Sequence, residues 1–457
     1  MSGRLSIEEA GAADAGCVMA RSTSALATTP ATGFVHAEAQ VPISSDPLRL
    51  LRAFPASRRF LWLQPAAGQA VAAVGASIVL RARGTRRFSD LSVALADVTD
   101  GDGLPAGVVA VGGFAFDASA RERAPWRGFA PLELIVPQVA LVRRAGAARL
   151  VATGPAGTSA GSLATVLAQA RAALDGPDTT PAPGGSYHAL GSHPSTWRRA
   201  VEATLDDIAA GRLEKLVLAR TCTVHGIVPF DPWRVVARLS RAYPGCSTFA
   251  VASGPAAFVG ATPELLARVH GSRLETTALA GTCPRGADSR ADRALARALH
   301  SSPKERAEHA VVVRDIQARL EPLCDELTAA PSPDVVSTET LQHLRTPIRG
   351  RLRTGGGLLD AVAALHPTAA ICGFPRDAAR AVLAARERPA RGWYGGGIGW
   401  LDGGGGEVAV AIRTALLRGT HALLHAGAGI VAGSTWEAEL EETRLKMRPL
   451  LGALLEL

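Results

Sequence analysis

The chain contains three lysines, Lys215, Lys304 and Lys446, against forty-six arginines. Arginine keeps its proton in a protein, whereas a buried lysine can be tuned toward neutrality and act as a base. A lysine retained where the chain otherwise writes arginine is therefore a candidate for proton transfer or for a compact point charge. Lys215 lies in "GRLEKLVLAR", residues 211–220. Glu264 follows in "GATPELL", where Pro263 biases Thr262 to extended backbone and leaves a carboxylate at a turn. Taken alone, a glutamate at such a turn is usually solvated surface.

Two further segments gather carboxylates. "SSPKERAEH" sets Glu305 and Glu308 on one helix face, and "STWEAELEETRLK" sets Glu439, Glu442 and Lys446 at i, i+3 and i+7. Ser302 with Glu305, and Ser434 with Glu437, have capping-box spacing. Glu305 and Glu437 thus have structural work, and Glu308 is the better ligand candidate. Two helices each offering a carboxylate suit Mg²⁺, which takes one or two protein carboxylates plus water and substrate oxygens. Solvated helix faces with local ion pairs would use the same residues. "HAGAGIVAGS" leaves backbone amides free before a helix, an anion site that a tight strand–helix turn explains equally well. No Walker G-K-[ST] or H-E-x-x-H pattern occurs.

Strands and capped helices must hold these groups. "LEKLVLARTCTVHG" reads as a strand with Lys215, Val217 and Ala219 on one face. "STWRRAVEATLDDIAAG" before it reads as a helix capped by serine and closed at Gly211. Residues 247–281 read as three further strands, with turns at Gly254-Pro255, Thr262-Pro263 and Gly271. A helix from Pro303 to about Leu323 follows, then strands at 393–401, 407–417 and 420–426 and a last helix from about Thr435. Upstream, short apolar runs broken by Gly, Pro and Asp predict hairpins with one helix near 87–97. Residues 1–45 are expected to be a disordered tail, and "DGPDTTPAPGGSYHALGS" (175–192) a linker or surface loop.

Composition narrows the partners. Net charge is +8, and the sequence pI is about 9.7. The arginines are scattered, however, with no basic block interleaved with aromatics, which disfavours nucleic acid and leaves either a small anionic substrate or a charge balance without functional meaning. Six cysteines with no C-x-x-C pair argue against a zinc site or disulfide framework and for a reducing cytoplasm. The amino terminus has neither a signal peptide nor an anchor pattern, and apolar runs are too short and Gly-broken to span a membrane.

In order along the chain come "KLVLAR", "FVGATPELL", "LAGTCPRG", "SPKERAEH", "LHPTAAICGFP", "GWYGGGIGW", "AIRTALL", "GAGIV" and "ELEETRLK". This series resembles the chorismate-utilising enzymes, and within them the isochorismate synthases. The likeness spans roughly residues 55–457 and is strongest over 190–450. It implies one α+β domain over 46–457, with two large antiparallel sheets packed face to face and helices outside. It also implies that Lys215 is the general base that activates water toward ring carbon 2 of chorismate. Glu264 would be the acid that protonates the departing 4-hydroxyl, and Glu308 and Glu442 would hold Mg²⁺, with Glu305 and Glu439 as second candidates. Gly281, Thr282, Tyr394, Arg413, Gly427, Ala428, Gly429 and Lys446 are the implied substrate-binding positions. His366 falls in a pocket motif and is placed with the catalytic groups.

The sequence departs from the family pattern at Ala369, where relatives often carry proline, and at Cys283, where arginine is common. "GFP" after the His-Pro-Thr stretch favours isochorismate synthase over the amino-transferring members, so a monomer without a glutaminase subunit is expected. Salicylate synthase is the nearer rival, since it shares base, acid and metal ligands and goes on to eliminate pyruvate.

Overall fold

Near-continuous apolar strands need both faces covered, and the alternation within them shows how. In the strand Arg58–Gln64, Phe60 and Trp62 face one buried cluster while Leu61 and Leu63 face another. Its neighbour Gln69–Val74 divides in the same way, with Val71 and Ala73 on one side and Ala70, Ala72 and Val74 on the other. The first cluster lies between two sheets, since it also takes in Val111, Ile135, Ile398 and Trp400 from strands of the opposite sheet. The second is closed by helices, among them Pro47–Ala53, Pro232–Ala242 and the end of Trp436–Leu455.

A computed structural model describes residues 6–9, 33–54, 56–176, 187–191 and 194–455. Among these, one sheet has 11 strands and the other 12, and every ladder is antiparallel. Helices Arg87–Val98, Pro303–Leu320 and Leu358–Leu365 pack on the outer face of the first sheet. The two-sheet α+β architecture is the one expected. Each sheet draws strands from both the amino-terminal half and the part bearing the motifs.

The chain passes from the second sheet to the first between Thr262 and Leu265, and returns between Val410 and Thr414. These crossings touch: the Val410 amide donates to the Glu264 carbonyl at 3.0 Å, and the Ala261 amide to the Arg413 carbonyl at 3.3 Å. Glu264 and Arg413 are thereby brought side by side. Arg413 holds a left-handed backbone, φ 54°, a conformation that costs a non-glycine residue energy and persists only where its surroundings enforce it.

Several expectations change. Residues 247–284 form four strands, not three, because the Thr262-Pro263 turn carries the chain from sheet to sheet. The strand expected at 407–417 is two, Gly405–Val410 and Thr414–Arg418, split by the return crossing. The tail expected over 1–45 contains Phe34–Val41, which pairs along its length with Ala147–Pro155, and Ser6–Glu9, which pairs with Ile78–Arg81. In Phe34–Val41, side chains alternate between half-buried and exposed, the period of an edge strand. The loop expected over 175–192 ends in a strand, Tyr187–Gly191, paired with Cys222–Gly226, while 177–186 lie outside the described residues.

Candidate active site

A cavity of about 620 Å³ opens where the two sheet crossings meet the start of the strand Lys215–Gly226. Period 2 brings Lys215 and Val217 into it, as expected of that face. Lys215 is 1% exposed, and its Nζ lies 2.7 Å from Glu308 Oε1. A side chain at Gly429 would meet that pair, with its Cβ 2.5 Å from Glu308 Oε1 and 3.0 Å from Lys215 Cε. Glycine is required there because the ion pair occupies the space. Glu264 is buried in the same wall. Burial raises its pKa from 4.5 to about 7, against the pull of Lys215, Lys446 and Arg413. Near neutral pH a large share of this carboxyl is therefore protonated.

Strand register decides the glycine-rich segment. The Val217 and Ala219 amides point away from the strand His421–Ile430, to the Cys372 carbonyl and to Glu387. Their partners Gly429 and Gly427 are therefore non-hydrogen-bonded pairs whose backbone faces the other edge, which the next strand leaves unpaired beyond His425. Gly427 and Gly429 line the cavity. Ala428, expected to bind substrate, belongs instead to the hydrogen-bonded pair with Leu218 and does not line it. Lys446 spans this edge, donating to the Gly427 carbonyl at 2.9 Å and to Glu442 Oε1 at 2.6 Å.

Gly281, Thr282, Tyr394 and Arg413 also line the cavity. Burial pushes the Tyr394 phenol up to about 12, so it stays a donor. His343, which sequence reasoning missed, stands between two of these groups, with Nε2 3.3 Å from Arg413 Nη2 and Nδ1 3.1 Å from Thr282 Oγ1. Arginine only donates, so Nε2 must accept and Nδ1 carries the hydrogen. Thr282 then accepts from His343 and keeps its own hydroxyl hydrogen for the cavity. Burial, then Arg413 and Lys446, hold the His343 pKa well below 6.5, consistent with the neutral ring. Its strand register opposite Thr282 could not be read from either segment alone.

His366, expected among the catalytic groups, is not a lining residue. It sits between the rings of Phe88, Phe114 and Phe116, with Nε2 2.9 Å from the Phe116 carbonyl. It is a core histidine beneath the helix Arg87–Val98.

The four helix glutamates face one another across the helices Pro303–Leu320 and Trp436–Leu455. Burial, then Glu308, raise the pKa of Glu305; burial, then Glu442, raise that of Glu439. Neither expected capping box closes. Ser302 Oγ does accept from the Glu305 amide at 3.4 Å, but the Glu305 carboxylate reaches across to the Thr282 amide at 3.0 Å. Thr435, not Ser434, accepts from the first turn of the last helix, at the Ala438 amide, and Glu437 closes no box with either. Lys304 Nζ lies 3.3 Å from Glu439 and 3.8 Å from Glu305. All three lysines of the chain thus serve one carboxylate cluster. Among the described residues, no three His, Cys, Asp or Glu side chains converge as a preformed metal cage. Mutually repelling carboxylates paired with lysines still fit a hard dication that keeps most of its water. No helix among the described residues is long and apolar enough to cross a membrane.

Known proteins carry the same arrangement of chain. The salicylate biosynthesis isochorismate synthase of Pseudomonas aeruginosa is 35% identical over 423 residues, 90% of this chain and 88% of that protein. The isochorismate synthase MenF of Bacillus subtilis is 33% identical over 354 residues, 76% of this chain and 75% of its own. Among solved structures, the menaquinone-specific isochorismate synthase MenF of Escherichia coli superposes with a TM-score of 0.77 at 29% identity, covering 94% of this chain and 96% of that one. Anthranilate synthase component I of Streptococcus pneumoniae shares the fold, with a TM-score of 0.68 at 22% identity over 87% of this chain and 92% of that one. The family described as "Chorismate binding enzyme" matches residues 22–455, and the chain belongs to it.

Proposed function

We propose that this protein is an isochorismate synthase, an isomerase that moves the ring hydroxyl of chorismate from carbon 4 to carbon 2. The observation that carries this reading is the pairing, in one cavity, of a buried lysine with a buried carboxyl held near pH 7. Water loses a proton to the Lys215 amine as its oxygen bonds to ring carbon 2. Both ring double bonds shift, C1=C2 to C1=C6 and C5=C6 to C4=C5, and the C4–O bond breaks as Glu264 passes its proton to the leaving hydroxide. One water enters and one leaves, so atoms and charge balance; Lys215 and Glu264 must then exchange the proton between them or through solvent. An acid near pKa 7 matches that task at neutral pH. Lys215 is free to act only when the Glu308 carboxylate, now 2.7 Å away, is engaged elsewhere.

The substrate is a dianion. Arg413, Lys446, the Gly427 and Gly429 amides, the Thr282 hydroxyl and the Tyr394 phenol supply donors for it. Mg²⁺ held by Glu308 and Glu442, with Glu305 and Glu439 beside them, would neutralise one substrate carboxylate. Chorismate with Mg²⁺ in ¹⁸O-labelled water, followed by chromatography and mass spectrometry, tests the reading. Isochorismate labelled at carbon 2, formed without ammonia or a glutaminase partner, is expected. An amino product formed only with ammonia would sink it, and salicylate with pyruvate would assign the neighbouring activity.

A further inference from the structure

The strand that carries Lys215 is incompletely paired. Along one edge it matches His421–Ile430 from Leu216 to His225. Along the other, Gly373–Phe374 covers only Lys215 and Leu216, and Tyr187–Gly191 resumes at Cys222. In the gap the Cys372 carbonyl meets the Val217 amide, but the Val217 carbonyl and the Ala219 amide would be left open within a buried region, at a cost of about 1–3 kcal/mol per unpaired group. Two side chains fill it. Arg391 Nη2 donates to the Val217 carbonyl at 2.7 Å, and Glu387 Oε1 accepts from the Ala219 amide at 2.8 Å. They are joined to each other by a two-point contact, Nε to Oε2 at 2.6 Å and Nη2 to Oε1 at 2.9 Å. Donor and acceptor alternate here as a neighbouring strand would present them.

We infer that the Arg391–Glu387 ion pair acts as a side-chain substitute for a missing strand and sets the position of the base for the reaction. Arg391 does not line the cavity, yet it ties down residues that do. Its Nη1 donates to the Ile371 carbonyl at 2.6 Å, and its own carbonyl accepts from the Tyr394 amide at 3.1 Å. Val217, Ile371 and Tyr394 are all cavity-lining residues, so the buried guanidinium fixes two parts of the wall around Lys215 and the Arg391 backbone a third. A lysine ammonium could not do this, since it lacks the planar fork that meets a carboxylate and two carbonyls together. The pair touches no substrate; it is a positioning device, and its effect on rate rests on the proposal that Lys215 is the base.

The test is the double variant Arg391→Met/Glu387→Gln, which removes both charges at similar volume, a replacement that buried ion pairs often tolerate. Its folding is followed by circular dichroism and thermal melting. Hydrogen–deuterium exchange of a peptide spanning 215–221 reports the strand, and steady-state kinetics report the reaction. We expect faster exchange in that peptide, kcat lowered on the order of 10²-fold and KM within about threefold, because a misplaced base costs rate more than binding. Wild-type kcat, or a lowered kcat with unchanged exchange at 215–221, would overturn the inference, as would a rise in KM alone. If the double variant does not fold, Arg391→Lys keeps the charge beside Glu387 and is read by the same three measurements. Should the wild-type protein leave chorismate untouched, the proposed function fails instead, and exchange at 215–221 still decides whether the pair holds the strand.

Discussion

At the scale of single residues, the decisive pair is Lys215 and Glu264. Arginine at 215 keeps the charge but cannot take a proton from water at neutral pH. Lys215→Arg should retain chorismate binding by calorimetry and lose on the order of 10²–10⁴-fold in kcat, the usual share of general-base catalysis. Lys446→Arg, at a point charge on the cavity edge, should mainly raise KM. Glu264 carries a pH prediction whose sign is fixed by its shift. Its folded pKa of about 7 lies above the ordinary carboxyl value of 4.5. The folded protein therefore binds this proton more tightly than the unfolded chain does. The stability it contributes is complete below about pH 4.5 and is lost as pH rises through 7. Glu264→Gln, neutral throughout, should melt increasingly above the wild type as pH is raised from 5 to 9, while losing most turnover and the alkaline fall in rate that a general acid of pKa about 7 imposes. A melting difference independent of pH would show that Glu264 titrates as an ordinary surface carboxylate.

Elements bring the remaining charges together. The helices Pro303–Leu320 and Trp436–Leu455 contribute two glutamates each to one cluster, and Lys304 bridges them through Glu305 and Glu439. With its capping box unformed, Glu305 is no longer set apart from Glu308 as a structural residue; it fastens the helix start to the strand Arg273–Pro284 through Thr282. Lys304 occupies the place beside these carboxylates that an added cation would seek. Lys304→Met should therefore tighten Mg²⁺ binding to the resting protein by up to about fivefold, the range expected for a partly exposed pair. Calorimetric titration without substrate measures this directly. Unchanged or weaker binding would mean that the metal, if bound, lies away from Glu305 and Glu439.

Across the whole molecule, stability depends on holding two sheets in register. Glu133, on the first sheet, accepts from Arg58 of the second at 3.2 Å and from Arg81 at 2.7 Å. Only 8% exposed, it is a cross-sheet tie away from the cavity. Glu133→Ala should remove the carboxylate that two arginines share and lower the unfolding free energy by about 2–4 kcal/mol, read from the urea midpoint, with kcat at 25 °C little changed. A matching loss of kcat would show that the active site depends on the distant sheet ends.

Much of this was legible in the sequence, for local reasons. Period 2 put Lys215 and Val217 on one face, the 3.6 period paired glutamates along each helix, and the motif order pointed to the family and its two-sheet fold. The capping spacing at Ser302 and Ser434 was equally visible and misleading, because a carboxylate that can reach its own helix end can also reach a neighbouring strand. His366 carried the right motif and the wrong place, for no local pattern distinguishes a histidine among phenylalanines from one in a cavity. His343, the unpaired edge at Gly427 and Gly429, the exclusion of Ala428 and the Arg391–Glu387 clamp all depend on which strands lie side by side. Sequence by itself determined which residues could do the chemistry and on which face of an element each stands. Only the tertiary structure decided which of them meet, because register between strands far apart in the chain is set by long-range packing, not by local sequence.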